Sequence, residues 1–368
     1  MLYFSKLRIT LVSLVTFFFI VIATSNLQDA ENSIISKKIN LGLDLQGGSY
    51  LLLEIDNGPV EVQKLQNTTT VVRNFLKDKK VVFTDLRIED KAIFFNISKQ
   101  DIDKVKFFFL DKESIINPYY NQYKSHQFDL LIKENEFKLT LSKYGLIEIK
   151  TSSQDQAIEI VRRRVDEVGT NEPNILKRGN NRILVELPGL DDPMRIKSLL
   201  GKTANLTFRF VTQNNNDTFG AETLKFEDGD DEALVSKRII LSGENLLDAQ
   251  PQMNNQTNET VVSFTLDRVG AKRFGKATRS GIGKQLAIVL DGKIVSAPVI
   301  RDAILTGSGQ ISGNFTFQSA TDLALLLRSG ALPAPLNIIE ERTVGPDLGQ
   351  DSINAGVFAL LIGFFLVI

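Results

Sequence analysis

The chain has 368 residues, no cysteine and one histidine, and 43 Lys and Arg residues balance 44 Asp and Glu residues. The absence of cysteine excludes disulfide frameworks, thiolate nucleophiles and zinc–thiolate sites, and one histidine cannot form a histidine-pair metal motif. The balanced charge argues against a nucleic-acid-binding protein, which usually carries a basic excess. The length allows two or three domains.

The N-terminal segment 7–27 is apolar and predicts a transmembrane helix at the short limit for a bilayer span. Lys6 and Arg8 flank its start and no base follows until Lys37. By the positive-inside rule the N-terminus stays in the cytoplasm and the middle of the chain is exported. Small residues around Ala23 also fit a cleaved signal peptide, so anchor and leader remain alternatives.

The next part of the chain predicts a mixed α/β segment. Residues 49–56 predict a strand after the Gly47-Gly48 break, residues 60–77 a helix and residues 81–97 two short strands. The only histidine, His126, lies in a polar stretch without partner residues. We therefore expect it to be structural or exposed.

Residues 153–168 predict an amphipathic helix that begins with the capping box Ser153–Gln156 and ends before Gly169. Its apolar stripe consists of Ala157, Val161, Val165 and Val168. The adjacent bases Arg162, Arg163 and Arg164 follow Glu159 at helical spacing. This spacing predicts a solvated face with local ion pairs.

A hairpin over 174–187, a helix capped by Asp192 with Pro193 as its first residue, and a strand over 205–211 follow. The predicted buried side of that short helix is Ile196, Leu199 and Leu200, and Gly201 ends it. With one or two strands over 137–149 in front, the order is that of a ferredoxin-like βαββαβ core. The predicted fold class is therefore α+β.

A second α/β unit follows the polar linker 213–217 and the acidic turn 227–232, whose spacing disfavours an EF-hand. Strand 261–266 leads into a helix capped by Asp267, and Asp291-Gly292 predicts a type I′ hairpin. The elements that follow are a glycine-spaced turn over 307–313 entering a strand, a helix over 319–329 ended by Gly330, and a strand over 336–344.

The helix after Asp267 has a stripe of bases. Lys272, Lys276 and Arg279 share one face, beside Arg268 and Arg273. One interpretation is a contact with an acidic partner or lipid headgroups. The other is an ordinary solvated face opposite the apolar residues Val269, Phe274 and Ala277.

No enzyme signature is present. The segment Gly201-Lys202-Thr203 lacks the earlier glycine of a phosphate loop, and the glycines over 307–313 precede a strand instead of a helix. Asp44 and Glu54 are carboxylates without a distinguishing context. The sequence predicts no catalytic, cofactor-binding or metal-binding residues.

The C-terminal run 355–368 has fourteen residues without a polar side chain. At 1.5 Å per residue, fourteen residues span about 21 Å, less than the ~30 Å hydrocarbon core of a bilayer. We expect a truncated transmembrane helix and a longer, multi-pass protein.

Several motifs resemble the SecD family of protein-export membrane proteins. They are Leu41–Gly48 (LGLDLQGG), Gly169–Pro173 (GTNEP), Arg182–Gly189 (RILVELPG), Leu286–Val299 (LAIVLDGKIVSAPV) and Leu327–Ile353 (LRSGALPAPLNIIEERTVGPDLGQDSI). They occur in the family's order from the first span to the chain end. Gln46 stands where the family usually has a base, so no charge is inferred at that turn.

The resemblance implies a transporter-like subunit related to the resistance-nodulation-division superfamily. It would lie in the bacterial inner membrane and act in protein export with a periplasmic domain that contacts the emerging chain and swings. The implied partners are SecF, the SecYEG channel, SecA, unfolded preprotein and membrane lipid, with YajC as a further candidate, and the implied energy source is the proton gradient. The implied domains are a base at 39–212 with a return strand at 329–350, and an inserted head at 213–328.

Two other functions remain open. A related transporter subunit would bind a lipid or small molecule in the exported domain. A secreted binding protein would lose its leader and leave the membrane.

Overall fold

The computed structural model describes residues 5–25, 47–170, 173–189, 193–212, 220–227, 229–254 and 258–367. The chain divides into two compact units. One is Ser49–Thr343, and the other combines the terminal segments Met1–Gly48 and Val344–Ile368. The predicted cap Asp192, the linker 213–217, Gln46 and Asp44 lie outside the described residues.

The helices of the described part follow in chain order. They are α1 (Lys6–Ser25), α2 (Gly58–Asp78), α3 (Ile102–Leu110), α4 (Lys143–Val168), α5 (Pro193–Gly201), α6 (Arg268–Ser280), α7 (Phe317–Ser329) and α8 (Pro346–Val367).

The strands are β1 (Gly48–Ile55), β2 (Phe83–Glu89), β3 (Ala92–Ile97), β4 (Tyr119–Tyr120), β5 (Ser125–His126), β6 (Phe128–Lys133), β7 (Glu136–Leu141), β8 (Asn174–Arg178), β9 (Arg182–Pro188), β10 (Leu206–Phe210), β11 (Ala221–Lys225), β12 (Glu232–Ser236), β13 (Leu241–Ser242), β14 (Leu246–Met253), β15 (Thr260–Leu266), β16 (Leu286–Leu290), β17 (Lys293–Ser296), β18 (Ser308–Phe315) and β19 (Leu336–Val344). The predicted strands 49–56, 261–266 and 336–344 and the hairpin 174–187 are confirmed.

The first core of unit Ser49–Thr343 is a four-stranded sheet in the order β19-β1-β9-β8, packed against α4 and α5. Along the chain, β1, α4, β8, β9, α5 and β19 alternate as βαββαβ. If these four strands are numbered 1 to 4 along the chain, their order across the sheet is 4-1-3-2. This order is that of a split βαβ connectivity. Leu51 and Leu53 of β1 pack with Val161 of α4 and Leu200 of α5, all buried.

The predicted membership of this sheet was wrong. Strand β7, within the predicted strand 137–149, lies in the separate sheet β2-β3-β7-β6, and β10 lies in the sheet β13-β10-β16-β17. The true outer members are β1 and β19, separated from the central part by the insertions 56–142 and 202–335. The prediction used strands that are close along the chain, whereas the sheet is completed by β1 and β19, which are remote in sequence.

The insertion 56–142 has its own core. Helices α2 and α3 and the sheet β2-β3-β7-β6 enclose four buried phenylalanines, at positions 95, 109, 128 and 137. The ring centroids of Phe95 and Phe137 are 5.2 Å apart, and those of Phe95 and Phe109 are 5.9 Å apart. These distances are typical of packed aromatic pairs.

The third core combines the sheets β13-β10-β16-β17 and β14-β15-β18 with α6 and α7. The hairpin joining β16 and β17 turns at Asp291 (φ 50°) and Gly292 (φ 80°). Two consecutive positive φ angles are the mark of a type I′ turn, so the predicted turn type is confirmed.

Helix α4 begins ten residues before the predicted capping box. Its N-cap is Ser142, whose side chain accepts the backbone N–H of Gly145 at 2.9 Å. A Cβ at Gly145 would lie 2.2 Å from the carbonyl oxygen of Gln127, so this close approach needs glycine. Residues 143–152 include Tyr, Ile and Thr, which favour strands, yet they form the first turns of the helix. The predicted cap Ser153 lies buried within the helix.

The terminal segments contain α1 and α8. Helix α8 begins at Pro346 instead of residue 355. Among the helices of the described residues, none has both the length and the apolar character needed to cross a membrane.

Candidate functional site

Helix α6 carries the basic stripe noted in the sequence. It begins after Asp267, whose carboxylate accepts the backbone N–H of Gly270, and residues 268–280 contain five bases and no acid. Phe274 is buried, whereas Val269 is 52% exposed, so the predicted burial of Val269 was wrong. Positions 269, 273 and 276 share a helical face, which places Val269 with the exposed bases.

A cleft of about 420 Å³ opens between α6 and the β12–β13 loop; we call it the basic cleft. Its lining consists of Phe210, Ser236, Arg238, Ile239, Ile240, Arg273, Lys276, Ala277 and Ser280. Three bases therefore stand beside an apolar surface.

The bases of the basic cleft lack acidic partners within the part of the chain that the structure describes. Arg238, Arg273 and Lys276 make no ion pair there, whereas the nearby Arg209 is engaged by Glu222. Phe210 is additionally covered by Lys284, whose Nζ lies 5.8 Å from the ring centroid. The cleft is consequently a local excess of positive charge in a chain of net charge −1.

A second cavity of about 290 Å³ lies on the other side of α6 and is mainly apolar; we call it the apolar pocket. Phe208, Phe264 and Phe274 line it, with centroid separations of 5.5 to 6.2 Å. Gly309 also lines it, and a Cβ there would lie 2.6 Å from Cζ of Phe264. At its rim Val299 is 52% exposed.

Arg164 lies where the chain passes between the first and third cores. This region, formed by residues 202–205 and 330–335, is called the crossing. Its guanidinium donates hydrogen bonds to the carbonyl oxygens of Leu199 at 2.7 Å, Thr203 at 3.3 Å and Gly330 at 3.2 Å, and to that of Lys202. The side chain is 1% exposed, so the predicted solvated face was wrong at this residue. Burial lowers the pKa of Arg164 to about 10, and the charge of Asp291 opposes the shift.

Three of the four carbonyls bound by Arg164 belong to the two segments that connect the cores, and that of Leu199 belongs to α5. Residues 202–205 lead from α5 into β10, and residues 330–335 lead from α7 to β19. The N–H of Leu332 donates to the carbonyl of Thr203 at 2.8 Å, which joins the two segments directly. One side chain thus fixes both connections.

Asp291, in the β16–β17 hairpin of the third core, binds residues 203–205 of the same crossing. Its carboxylate accepts the backbone N–H groups of Ala204 at 3.1 Å and Asn205 at 2.7 Å, and the hydroxyl of Thr203. The sequence identified Asp291 as a turn residue, but this second role depends on a contact with a segment 86 residues away.

Two ion pairs also link α7 to the first core. Arg195 of α5 contacts Asp322 at 2.8 Å. Arg328 contacts Glu167 of α4 and donates to the carbonyl of Ala249 at 2.7 Å. The crossing is therefore held by charge contacts as well as by the buried guanidinium.

A sequence signal for Arg164 existed. Ala157, Val161, Arg164 and Val168 follow the i, i+4, i+7, i+11 spacing of the buried stripe. The adjacent bases Arg162 and Arg163 are exposed as predicted. The run of three bases concealed the fact that one of them lies on the apolar face.

The remaining residues considered for chemistry have structural contacts. His126 contacts the carbonyl oxygens of Asn117 and Leu110 at 3.0 and 3.2 Å, and Glu54 accepts from Asn181 at 3.1 Å. Within the described residues no group of His, Asp and Glu side chains is arranged to hold a metal ion. The candidate sites that remain are surfaces and pockets for binding.

Comparisons with known proteins identify the family of this chain. A family model described as "SecDF, P1 head subdomain" matches residues 221–334, "Protein translocase subunit SecDF, P1 domain, N-terminal" matches 154–213, and "SecD/SecF GG Motif" matches 33–58. The protein translocase subunit SecD of Rickettsia conorii is 38% identical over 98% of this chain and 70% of its own length. The chain belongs to the SecD family.

Other relatives extend this result. SecD of Acetobacter pasteurianus is 39% identical over 90% of this chain and 64% of its own length. A crystal structure of SecDF in a super-membrane-facing form has a TM-score of 0.52 and 27% identity, and it covers 98% of this chain. This chain spans 39% of that SecDF chain. Membership in the SecD family assigns the chain a role in Sec-dependent protein export.

The matched regions contain the features described above. The head model covers α6, the basic cleft's helical wall and the lining of the apolar pocket other than Phe208. The P1 N-terminal model covers Arg164. The GG motif includes Gly47 and Gly48, whose φ angles of 72° and 135° suit glycine.

Proposed function

We propose that this SecD family member assists export by contacting the emerging preprotein through residues 213–328, which act as a head. The observation that carries the proposal is the apolar pocket, with its exposed rim at Val299. An unfolded chain presents apolar side chains, and an apolar pocket with an accessible rim can bind them transiently. Except for Phe208, the residues that line the pocket lie within the range matched by the head model.

The base of the domain comprises 39–212 with the return strand 329–350. The connections 202–205 and 330–335 converge on Arg164, which supports a boundary near these segments. Strand β10, which follows residue 205, pairs with β16 of the third core and therefore goes with the head. These two segments are where a change in the angle between head and base would be absorbed. The ion pairs of α7 with the first core limit that motion.

Segments 7–27 and 355–368 anchor the protein in the bacterial inner membrane, with Ser49–Thr343 in the periplasm. The exposed apolar side chains Leu11, Leu14 and Phe18 of α1, and Leu360 and Phe365 of α8, support this arrangement. Membrane fractionation with an alkaline wash tests it. Release of the full chain into the soluble fraction contradicts membrane anchoring.

The complete protein works with SecF beside the SecYEG channel and the SecA motor, with YajC as a further partner, and draws on the proton gradient. The SecDF name of the similar structure supports the SecF partnership. The chain is a transport component and not an enzyme, in line with relatives named as translocase subunits.

A photo-crosslinking experiment tests the contact with preprotein. A crosslinker at Val299 should capture a stalled preprotein in cells, because this side chain is exposed at the pocket rim. A crosslinker at Leu176, 48% exposed on β8 of the first core, is the matched control. Phe264 is unsuitable because it is 2% exposed. Capture at Leu176 without capture at Val299 refutes the proposal.

The alternative is a related transporter subunit whose periplasmic domain binds a lipid or small molecule. The size of the apolar pocket, about 290 Å³, favours it, since small-molecule sites begin near ~300 Å³. Saturable binding of a fluorescent fatty acid to the full chain, lost in Val299→Asp, supports this alternative. Non-saturable uptake contradicts it.

A further inference from the structure

The basic cleft is a feature that contact through the apolar pocket leaves unexplained. We propose that it binds acidic segments of the exported polypeptide that also carry an apolar side chain. The inference rests on the proposed contact with preprotein and adds a chemical preference to it. It assigns a role to the basic stripe of α6, for which the sequence left two interpretations open.

The positive charge of the cleft favours an acidic ligand. Arg238, Arg273 and Lys276 converge on the cleft from the β12–β13 loop and from α6, and no acid lines it among the residues that the structure describes. At physiological ionic strength charges are screened over about 8 Å, so these converging bases act on a ligand in the cleft more strongly than distant ones. Carboxylates are the matching groups on a polypeptide.

The cleft combines positive charge with an apolar surface. Phe210, Ile240 and Ala277 line the same cleft as the bases, and Ile239 is 49% exposed within it. A purely ionic contact would not bury these groups. A segment with an apolar residue next to acidic ones covers the apolar lining and pairs with the bases at the same time.

The shape of the cleft favours a peptide over a membrane surface as its ligand. A bilayer presents its anionic headgroups first and keeps its acyl chains below them. To cover the apolar lining between α6 and the loop, a ligand must enter the cleft with its apolar group while its charges stay beside the bases. A flexible peptide can do this with one side chain, whereas a flat lipid surface cannot enter a cleft.

The two pockets lie on different sides of one helix. Arg273 and Ala277 of α6 line the basic cleft, whereas Phe274 and Thr278 line the apolar pocket. Changes in the exposed bases therefore leave the buried side intact. This arrangement allows the two contacts to be tested separately.

The test measures peptide binding to the full chain in nonionic micelles by fluorescence anisotropy. The probe is a twelve-residue labelled peptide of alternating Glu and Leu pairs, and its matched forms replace Glu by Gln or Leu by Ser. The variant R273Q/K276Q removes two cleft bases. The control K272Q/R279Q removes the same charge from the same helix, at positions that do not line the cleft.

We expect the acidic–apolar peptide to bind about tenfold more weakly to R273Q/K276Q and less than twofold more weakly to the control, at 0.15 M salt. Both altered peptides should bind more weakly to the unchanged protein. Equal losses in both double variants indicate diffuse electrostatics and overturn the proposal. Equal binding of the Leu→Ser peptide, or displacement of the peptide when phosphatidylglycerol but not phosphatidylcholine is added to the micelles, also overturns it.

A cellular experiment distinguishes this inference from the proposed function. Crosslinkers at Ile239 in the basic cleft and at Val299 in the apolar pocket are compared on two stalled preproteins, one with an acidic–apolar segment and one with its Gln counterpart. Capture at Ile239 should occur only with the acidic form. Capture at Val299 alone refutes the cleft and leaves the proposed function standing, whereas capture at neither site while the purified chain binds the peptide refutes the proposed function.

Discussion

Replacing Arg164 by Met should loosen the crossing between the first and third cores. The substitution removes the donor for four carbonyl oxygens but keeps an unbranched apolar chain of similar reach. Hydrogen bonds to a charged donor contribute about 1.5 kcal/mol each at the lower end, or roughly 6 kcal/mol for four. The lowered pKa of about 10 corresponds to a net cost of charging the side chain of about 3 kcal/mol, in which burial outweighs the attraction of Asp291, and this offsets half of the gain. The net loss is about 3 kcal/mol.

Hydrogen–deuterium exchange of the full chain measures this loss locally. The amide of Leu332 bonds to the carbonyl of Thr203 beside the guanidinium, so it reports opening of the crossing. A loss of about 3 kcal/mol corresponds to roughly hundredfold faster exchange. Arg164→Lys keeps the charge with fewer geometrically suitable donors and should give an intermediate acceleration.

The control is Arg162→Met, which removes an equal charge from the exposed face of the same helix. It should change exchange at Leu332 by less than threefold, since surface substitutions usually stay within about 0.5 kcal/mol. If Arg164→Met and Arg162→Met accelerate exchange equally, the guanidinium does not hold the crossing. The reasoning would also fail if exchange rose uniformly over all three cores.

Three further substitutions test other contacts. Asp291→Ala should lower the free energy of unfolding by about 2 kcal/mol in urea titrations followed by circular dichroism, whereas Asp291→Asn, which keeps an acceptor and tolerates the positive φ, should lose about half as much. Ser142→Ala should cost about 1 kcal/mol in the same assay because it removes the N-cap of α4, whereas Ser153→Ala should be near neutral. Gly307→Ala should reduce the melting temperature more than Gly283→Ala: both have positive φ, but only at Gly307 would a Cβ lie 2.6 Å from a neighbouring Cβ.

Each of these predictions has a contrary outcome. Equal losses for Ala and Asn at position 291 would mean that the turn, and not the acceptor, is the source of the effect. If Ser153→Ala lowers the free energy of unfolding more than Ser142→Ala does, Ser153 and not Ser142 is the N-cap of α4, as the sequence predicted. Equal melting temperatures for the two glycine variants would indicate that α6 shifts at no cost to make room for the added methyl group.

Much of the local structure could be predicted because its causes are local. Asp291-Gly292 has the residues that a type I′ turn requires, and Gly169 adopts the left-handed conformation (φ 84°) expected after a helix. Asp267 caps α6 as predicted. The start of α4 could not be read in this way, because Ser142 and Ser153 are both chemically suitable caps and the choice depends on how residues 143–152 pack.

The candidate sites were only partly visible in the sequence. The five bases of α6 could be counted, but the cleft requires Arg238 and Phe210, which come from other strands and loops. Burial of Arg164 could have been inferred from its place in the apolar stripe. Its carbonyl partners could not, since Gly330 is 166 residues away.

The sequence by itself determined most of the longer helices, the hairpins over 174–187 and around Asp291-Gly292, the turn chemistry and the membership in the SecD family, because these depend on neighbouring residues or on ordered motifs. It predicted neither α3 nor the start of α4. Only the tertiary structure decided that β1 and β19 complete the first sheet and that Arg164 and Asp291 fix the crossing. The physical reason is that strand pairing and burial are contacts between remote segments. Loop closure rises only slowly in cost with length, so a strand can pair across an insertion of more than a hundred residues as well as with its neighbour.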